Sequence, residues 1–439
     1  MSATRRLLAL TAVTVVLAAA CGVDTEGASP AGPTGGSTAA SAASGDVGPL
    51  VFPTDTDAPF DLAGGVRRAE GGPAVIDDVD ARAGLDSRVA DATRPWPTDW
   101  TRRTVDLGEL ALGIPGTDPR DRIPPIDRPA FESVAAAADW LDPVEPGALV
   151  EHDGEVRFYP LSILTRHEIV NDRFGDVPVA VTYCPLCNTA VSFDRRVDGE
   201  VLRFGVSGLL RLSDLVMWDD ATTTLWQQVT GEAIAGELAG TVLAPISTAI
   251  VSFGQFADAH PDGLSLSPET GFGINYGANP YVGYSSQSGP IDGFFAGEVD
   301  PRFPALERVV GVSVGGVDVA YPFPILEAEQ VVNDTVGGVP IVVWWAPGTA
   351  DALDAAIIAD SRAVGTALAL DRRVAGRELT FEALGAGRFR DTETGSEWNV
   401  VGHAVAGALA GERLATVVHR NEFWFAWAGF FPDAAVFEG

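Results

Sequence analysis

The chain has 439 residues, enough for two or three domains, and 46% of them are apolar, which excludes wholesale disorder. Its 60 acidic residues against 29 Lys and Arg give a net charge of −31. Such an excess repels phosphates and anionic head groups, so it argues against a nucleic-acid partner and against charge-driven membrane adhesion.

At the N-terminus, Arg5 and Arg6 precede the apolar run Leu7 to Ala20, and Cys21-Gly22 follow. A charged n-region, an h-region and small residues before a cysteine form the pattern of a bacterial lipoprotein signal over residues 1–20. On this reading Cys21 carries lipid and holds the protein on the outer face of the cytoplasmic membrane, in the cell envelope. The alternatives are an ordinary signal peptide that discards Cys21 and a short uncleaved anchor, and Ala18 stands where such signals usually carry Leu. No later run reaches the roughly 18 apolar residues that a spanning helix needs. Residues 21–59 are Gly, Ser, Ala, Thr, Pro and Asp with few large apolar side chains, a disordered tether by composition. Residues 60–146 read as an irregular wrapping segment, with Trp96 and Trp100 as anchors onto the body.

Regular alternation begins near residue 147. Ala148 to Glu151 and Glu155 to Tyr159 flank Asp153-Gly154 and predict a β-hairpin. Apolar spacing over Leu161 to Val170 predicts a short helix after Pro160, with Asn171 and Asp172 as the turn that closes it. The β-branched run Val177 to Tyr183 predicts a buried strand, and Pro185 and Asn188 end it in a turn that brings Cys184 and Cys187 to one side. Asp198-Gly199 signals a second hairpin.

The chain then repeats itself. Tyr159-Pro160, Ile163-Leu164, Val170-Asn171-Asp172, Gly175 and Val177-Pro178 recur as Tyr321-Pro322, Ile325-Leu326, Val332-Asn333-Asp334, Gly337 and Val339-Pro340, each displaced by 162. Asp194-Arg195-Arg196-Val197 recurs as Asp371-Arg372-Arg373-Val374, beyond an insertion around 350–363. The predicted fold class is therefore α+β: two tandem copies of a hairpin-rich, mainly β unit with short helices, packed together, over 147–268 and 308–437. Between them, 269–307 is an aromatic connector whose Tyr276, Tyr281 and Tyr284 either line a ligand pocket or pack over one unit.

Positions kept in both copies belong to the scaffold, and positions present in one are candidates for chemistry. The first copy alone has His167, Cys184, Cys187, Met217 and His260; the second has Glu329, Ala346, a gapped segment near Gly348-Thr349, Phe389 and Phe431 there. Thiols, imidazole and thioether suit copper better than magnesium or calcium, with zinc the lesser expectation. Met217 as core filler and His260 as a helix-ending surface histidine are the plain alternatives. Haem attachment needs a histidine where Asn188 stands, a four-cysteine zinc site needs a second pair, and no nucleotide cofactor is expected. A Cys184–Cys187 disulfide and a metal site of Cys184, Cys187, His167 and Met217 both stay open.

Tyr183 to Ala190, with His167 to Asp172 before it and Gly205 to Leu210 and Leu225-Trp226-Gln227 after it, resembles the bacterial domain-of-unknown-function family 3179 over about 130–437. The resemblance implies an extracytoplasmic bacterial setting and no reaction. The expectation is a lipid-anchored protein with a Cys/His(/Met) site for redox or metal handling. Its alternatives are a non-enzymatic binding or scaffold module and a thiol–disulfide redox protein, and whether it is an enzyme stays open.

Overall fold

A computed structural model describes residues 73–439. The signal segment, the tether and Cys21 lie outside the described residues. The described chain is mostly β, with a few short helices.

The first predicted hairpin is present: Pro146–His152 pairs antiparallel with Glu155–Pro160. Asp153 and Gly154 both take positive φ, the two-residue turn whose twist matches that of the strands. Helix Leu161–His167 follows and stops three residues short of the spacing-based expectation, because Glu168 adopts a left-handed φ of 58° and caps it. The chain leaves directly into strand Ile169–Phe174, so Asn171 and Asp172 lie in a strand and not in a closing turn. Their side chains brace neighbours. Asn171 donates to the Phe204 carbonyl at 2.7 Å and accepts from its N–H at 3.0 Å, while Asp172 accepts from Arg157 at 2.6 Å and from the Tyr159 hydroxyl.

Strand Val177–Cys184 is buried along its whole length, between Ile169–Phe174 and Thr189–Asp194. A second sheet carries Phe204–Arg211, Asp214–Asp219, Leu225–Gln227 and Ala233–Ala235, extended at its edges by Leu110–Leu112 and by Arg102–Arg103 with Ile76–Asp77. Trp96 and Trp100 pack under this sheet against Leu209, Val216 and Ile234. The N-terminal segment thereby braces the hairpin 204–219.

The order of elements then recurs: hairpin Arg308–Val314/Val317–Pro322, helix Phe323–Glu329, strands Val331–Val336, Val339–Ala346 and Thr366–Asp371, and a four-stranded meander from Phe381 to Ala406. The same hydrogen bonds return with it. Asn333 brackets Phe381 as Asn171 brackets Phe204, with both bonds at 2.9 Å. Trp398 donates to Asp391 at 3.0 Å as Trp226 donates to Asp219 at 2.9 Å. Arg372 reaches the Leu379 carbonyl as Arg195 reaches that of Leu202, each at 2.8 Å. These shared residues serve the fold.

The two runs do not stand apart as separate bodies. One apolar cluster joins Leu149, Phe158, Val251 and Phe256 to Trp344, Phe389 and Trp398. At the C-terminal end the side chains divide between two clusters: Phe423 and Phe425 enter the one that holds both cysteines, whereas Trp424 and Trp427 pack with Val309 and Ala320.

Candidate metal centre

Pairing of Cys184 with Thr189 closes the strand Val177–Cys184 over a four-residue turn. Pro185 cannot continue the ladder, and Asn188 takes φ 54° and donates its N–H to the Pro185 carbonyl at 3.2 Å. Both sulfurs end up inside the protein: Cys184 is 2% exposed and Cys187 fully buried, and both are free thiols.

Asp214 arrives from the other sheet. It follows the turn Leu212-Ser213, whose residues have φ 51° and 62°, a conformation that glycine and asparagine adopt at least cost. Two such residues in succession cost on the order of 1–2 kcal/mol each, and strain of this kind persists where the surroundings hold it. The turn aims the Ser213 carbonyl at the thiols, 3.3 Å from Cys187 Sγ and 3.8 Å from Cys184 Sγ. Ser213 N–H is fixed in turn by the Phe294 carbonyl at 2.8 Å.

One ligand atom each from Cys184, Cys187 and Asp214 lies within 4.8 Å of the others, and all three residues are buried. Asp214 Oδ2 accepts from Gln227 at 2.6 Å and from the Val229 N–H at 3.0 Å, while Oδ1 is buried and the two thiols are the donors left for the carboxyl. Burial pushes the Asp214 carboxyl up to about 6 and both thiols up, Cys187 most. Two further buried carboxyls surround the group. Burial, with Asp214 nearby, raises Glu168 to about 8; burial raises Glu422 to about 8 against the pull of Arg420. Several acids thus share one buried volume, an arrangement that a bound cation would stabilise.

His167, expected as a ligand, is not brought to this group. Its Nδ1 lies 2.6 Å from the Pro124 carbonyl and its Nε2 2.6 Å from the Tyr276 hydroxyl, so both ring nitrogens are engaged. Met217 is fully buried in the apolar cluster that contains both cysteines, paired with Val206 and Trp226 on the flanking strands. The connector tyrosines are all buried. Tyr284 donates to the Leu186 carbonyl at 2.8 Å, within the cysteine turn, and the Phe423 N–H donates to the Cys187 carbonyl at 2.9 Å.

Asp214, Glu168 and Glu422 are the residues that reading the sequence for soft ligands misses. The signal for each of them was present. The displacement that sets Met217 against Phe389 sets Asp214 against Ala386, and the displacement of 162 sets Glu168 against Gln330, so both carboxylates belong to the first run alone. Glu422 carries the converse mark: the displacement that sets Phe431 against His260 sets it against Val251, so this carboxylate belongs to the second run alone.

The molecule is, by fold and site, a mostly β protein with a buried, acid-rich Cys-Cys-Asp cluster where its two runs of elements meet. The chain belongs to the family described as protein of unknown function (DUF3179), which matches residues 120–434 and so contains every residue of the cluster. No curated protein and no solved structure matches the chain.

Proposed function

We propose that Cys184, Cys187 and Asp214 bind a transition-metal ion and that the protein serves redox or metal handling outside the cytoplasm. The observation that carries this reading is the gathering of two thiols and a carboxylate, with no other polar group on the carboxylate's Oδ1, inside one buried volume. Thiolate softness favours copper, and the hard oxygen of Asp214 makes zinc the competitor. A site this closed suits electron transfer, storage or a structural role better than turnover of a substrate. Supporting the location is the sequence pattern that ends at Cys21, which would carry the lipid anchor. Within this reading the chain is a duplicated unit whose second copy supports the site without repeating it, and the connector tyrosines cover the site and do not form an open pocket.

Metal analysis of the tag-free protein, wild type beside Cys184→Ser/Cys187→Ser and Asp214→Asn, tests the proposal. About one equivalent more of copper or zinc is expected in the wild type than in either variant, and equal content in all three would end it.

A thiol–disulfide exchange centre is the second reading, favoured by two adjacent free cysteines. Burial counts against it: raised thiol pKa values leave little thiolate, and no partner thiol can reach a sulfur that is fully covered.

A further inference from the structure

Away from the cysteines, Glu151, His260 and His403 also bring one ligand atom each within 4.8 Å of the others. Three separate elements deliver them. Glu151 lies near the end of strand Pro146–His152, and His260 caps helix Phe253–Ala259, its N–H bonded to the Phe256 carbonyl at 2.8 Å. His403 follows strand Glu397–Asn399, its N–H donating to Asn399 Oδ1 at 2.9 Å. The group closes only where the two runs of elements meet.

The His260 side chain is 4% exposed, and its buried Nε2 lies 3.1 Å from Glu151 Oε1, its one polar neighbour there. That distance is also what two ligand atoms on one small ion show, so the pair is spaced to share a cation between them. The imidazole rings of His260 and His403 stand edge to face, 4.7 Å apart. Beside them a cavity of about 210 Å³ is lined by Glu151, His403, Arg413 and Thr416. Arg413 sits 3.5 Å from the other Glu151 oxygen, Oε2, leaving Oε1 to face the histidines.

We propose that Glu151, His260 and His403 form a site for a divalent transition ion, zinc foremost, with one coordination position open toward this cavity. Two imidazoles and a carboxylate with a free position make up a ligand set of mononuclear sites that hold a water or a small anion. The site is independent of the cysteine cluster and would bind even if that cluster holds no metal.

The tag-free full chain is titrated with Co(II) and followed by absorption spectroscopy, with Zn(II) stoichiometry measured in parallel. The expected result is one equivalent whose spectrum lacks thiolate-to-metal charge transfer, retained in Cys184→Ser/Cys187→Ser and bound at least tenfold more weakly by His403→Ala and by Glu151→Gln. Glu151→Gln keeps the side-chain shape at a half-exposed position, so it decides the matter should His403→Ala misfold. Co(II) bound only with a thiolate band, or a thiolate-free equivalent that survives Glu151→Gln, would overturn the proposal.

Discussion

Tyr284 donates its hydroxyl hydrogen to the carbonyl of Leu186 at 2.8 Å, across 98 residues of chain, and so pins the middle of the cysteine turn to the connector. Both groups are buried, and Phe in place of Tyr would leave the carbonyl without this donor in a place water does not reach. Tyr284→Phe should therefore destabilise the protein by about 1–2 kcal/mol. If the turn is the metal site, the same substitution should speed metal loss to a chelator, since the turn loses one of its restraints. Urea unfolding and chelator-competition rates check the two effects separately.

Conservative replacements distinguish the gathered ligands from the residues that merely lie in the same core. His167→Gln and Met217→Leu should keep the metal, because His167 is spent on Pro124 and Tyr276 and Met217 fills apolar space. Leu for Met is close to volume-conserving and should cost under about 1.5 kcal/mol. Metal content falling in step with that of Asp214→Asn would instead return His167 or Met217 to the ligand set.

Much of this was legible in the sequence wherever a rule of local geometry applied. The Asp153-Gly154 hairpin and the buried strand into Cys184 follow from turn chemistry and period, whereas the repeated Asn-Asp pair, read as a turn, lies in a strand. Glu168 stopped the helix early because an acidic residue took a left-handed conformation that sequence spacing assigns to no particular residue. The third member of the cluster was harder, because Asp214 meets the thiols only through the packing of two sheets, and its presence in the first run alone was the one mark it carried. His167 misled for the opposite reason: its chemistry suits a metal, yet a carbonyl and a tyrosine hydroxyl satisfy it.

Acid should weaken the fold through His419. This imidazole is buried in strand His419–Phe423, donates Nδ1–H to the Val417 carbonyl at 2.8 Å, and has no partner at Nε2. Burial, with Arg420 beside it, depresses its pKa from 6.5 to about 4. Between those values the unfolded chain binds a proton that the folded chain refuses, so stability falls as pH drops from about 6.5 toward 4, by up to about 3 kcal/mol. Above pH 7 the group is neutral in both states and contributes no slope. His419→Gln should flatten the loss between pH 7 and pH 4.5 in urea midpoints, and an unchanged pH profile would show that other groups govern acid sensitivity.

The proposed support of the first run by the second can be tested by cutting the chain. Phe423 donates its N–H to the Cys187 carbonyl, Glu422 lies 3.3 Å from the Thr189 hydroxyl, and Phe423 and Phe425 enter the cluster around the cysteines. On the far side, Phe158 and Phe256 share their core with Trp344 and Trp398. Removing everything after about residue 305 would expose several large apolar side chains at once, each worth roughly 1.5–3 kcal/mol when buried, against a total stability of about 5–15 kcal/mol. The fragment should aggregate or remain unfolded even though Cys184, Cys187 and Asp214 are all still present. A soluble fragment that melts cooperatively and holds metal as the whole chain does would show the first run to be self-sufficient, and the second would then need a role of its own.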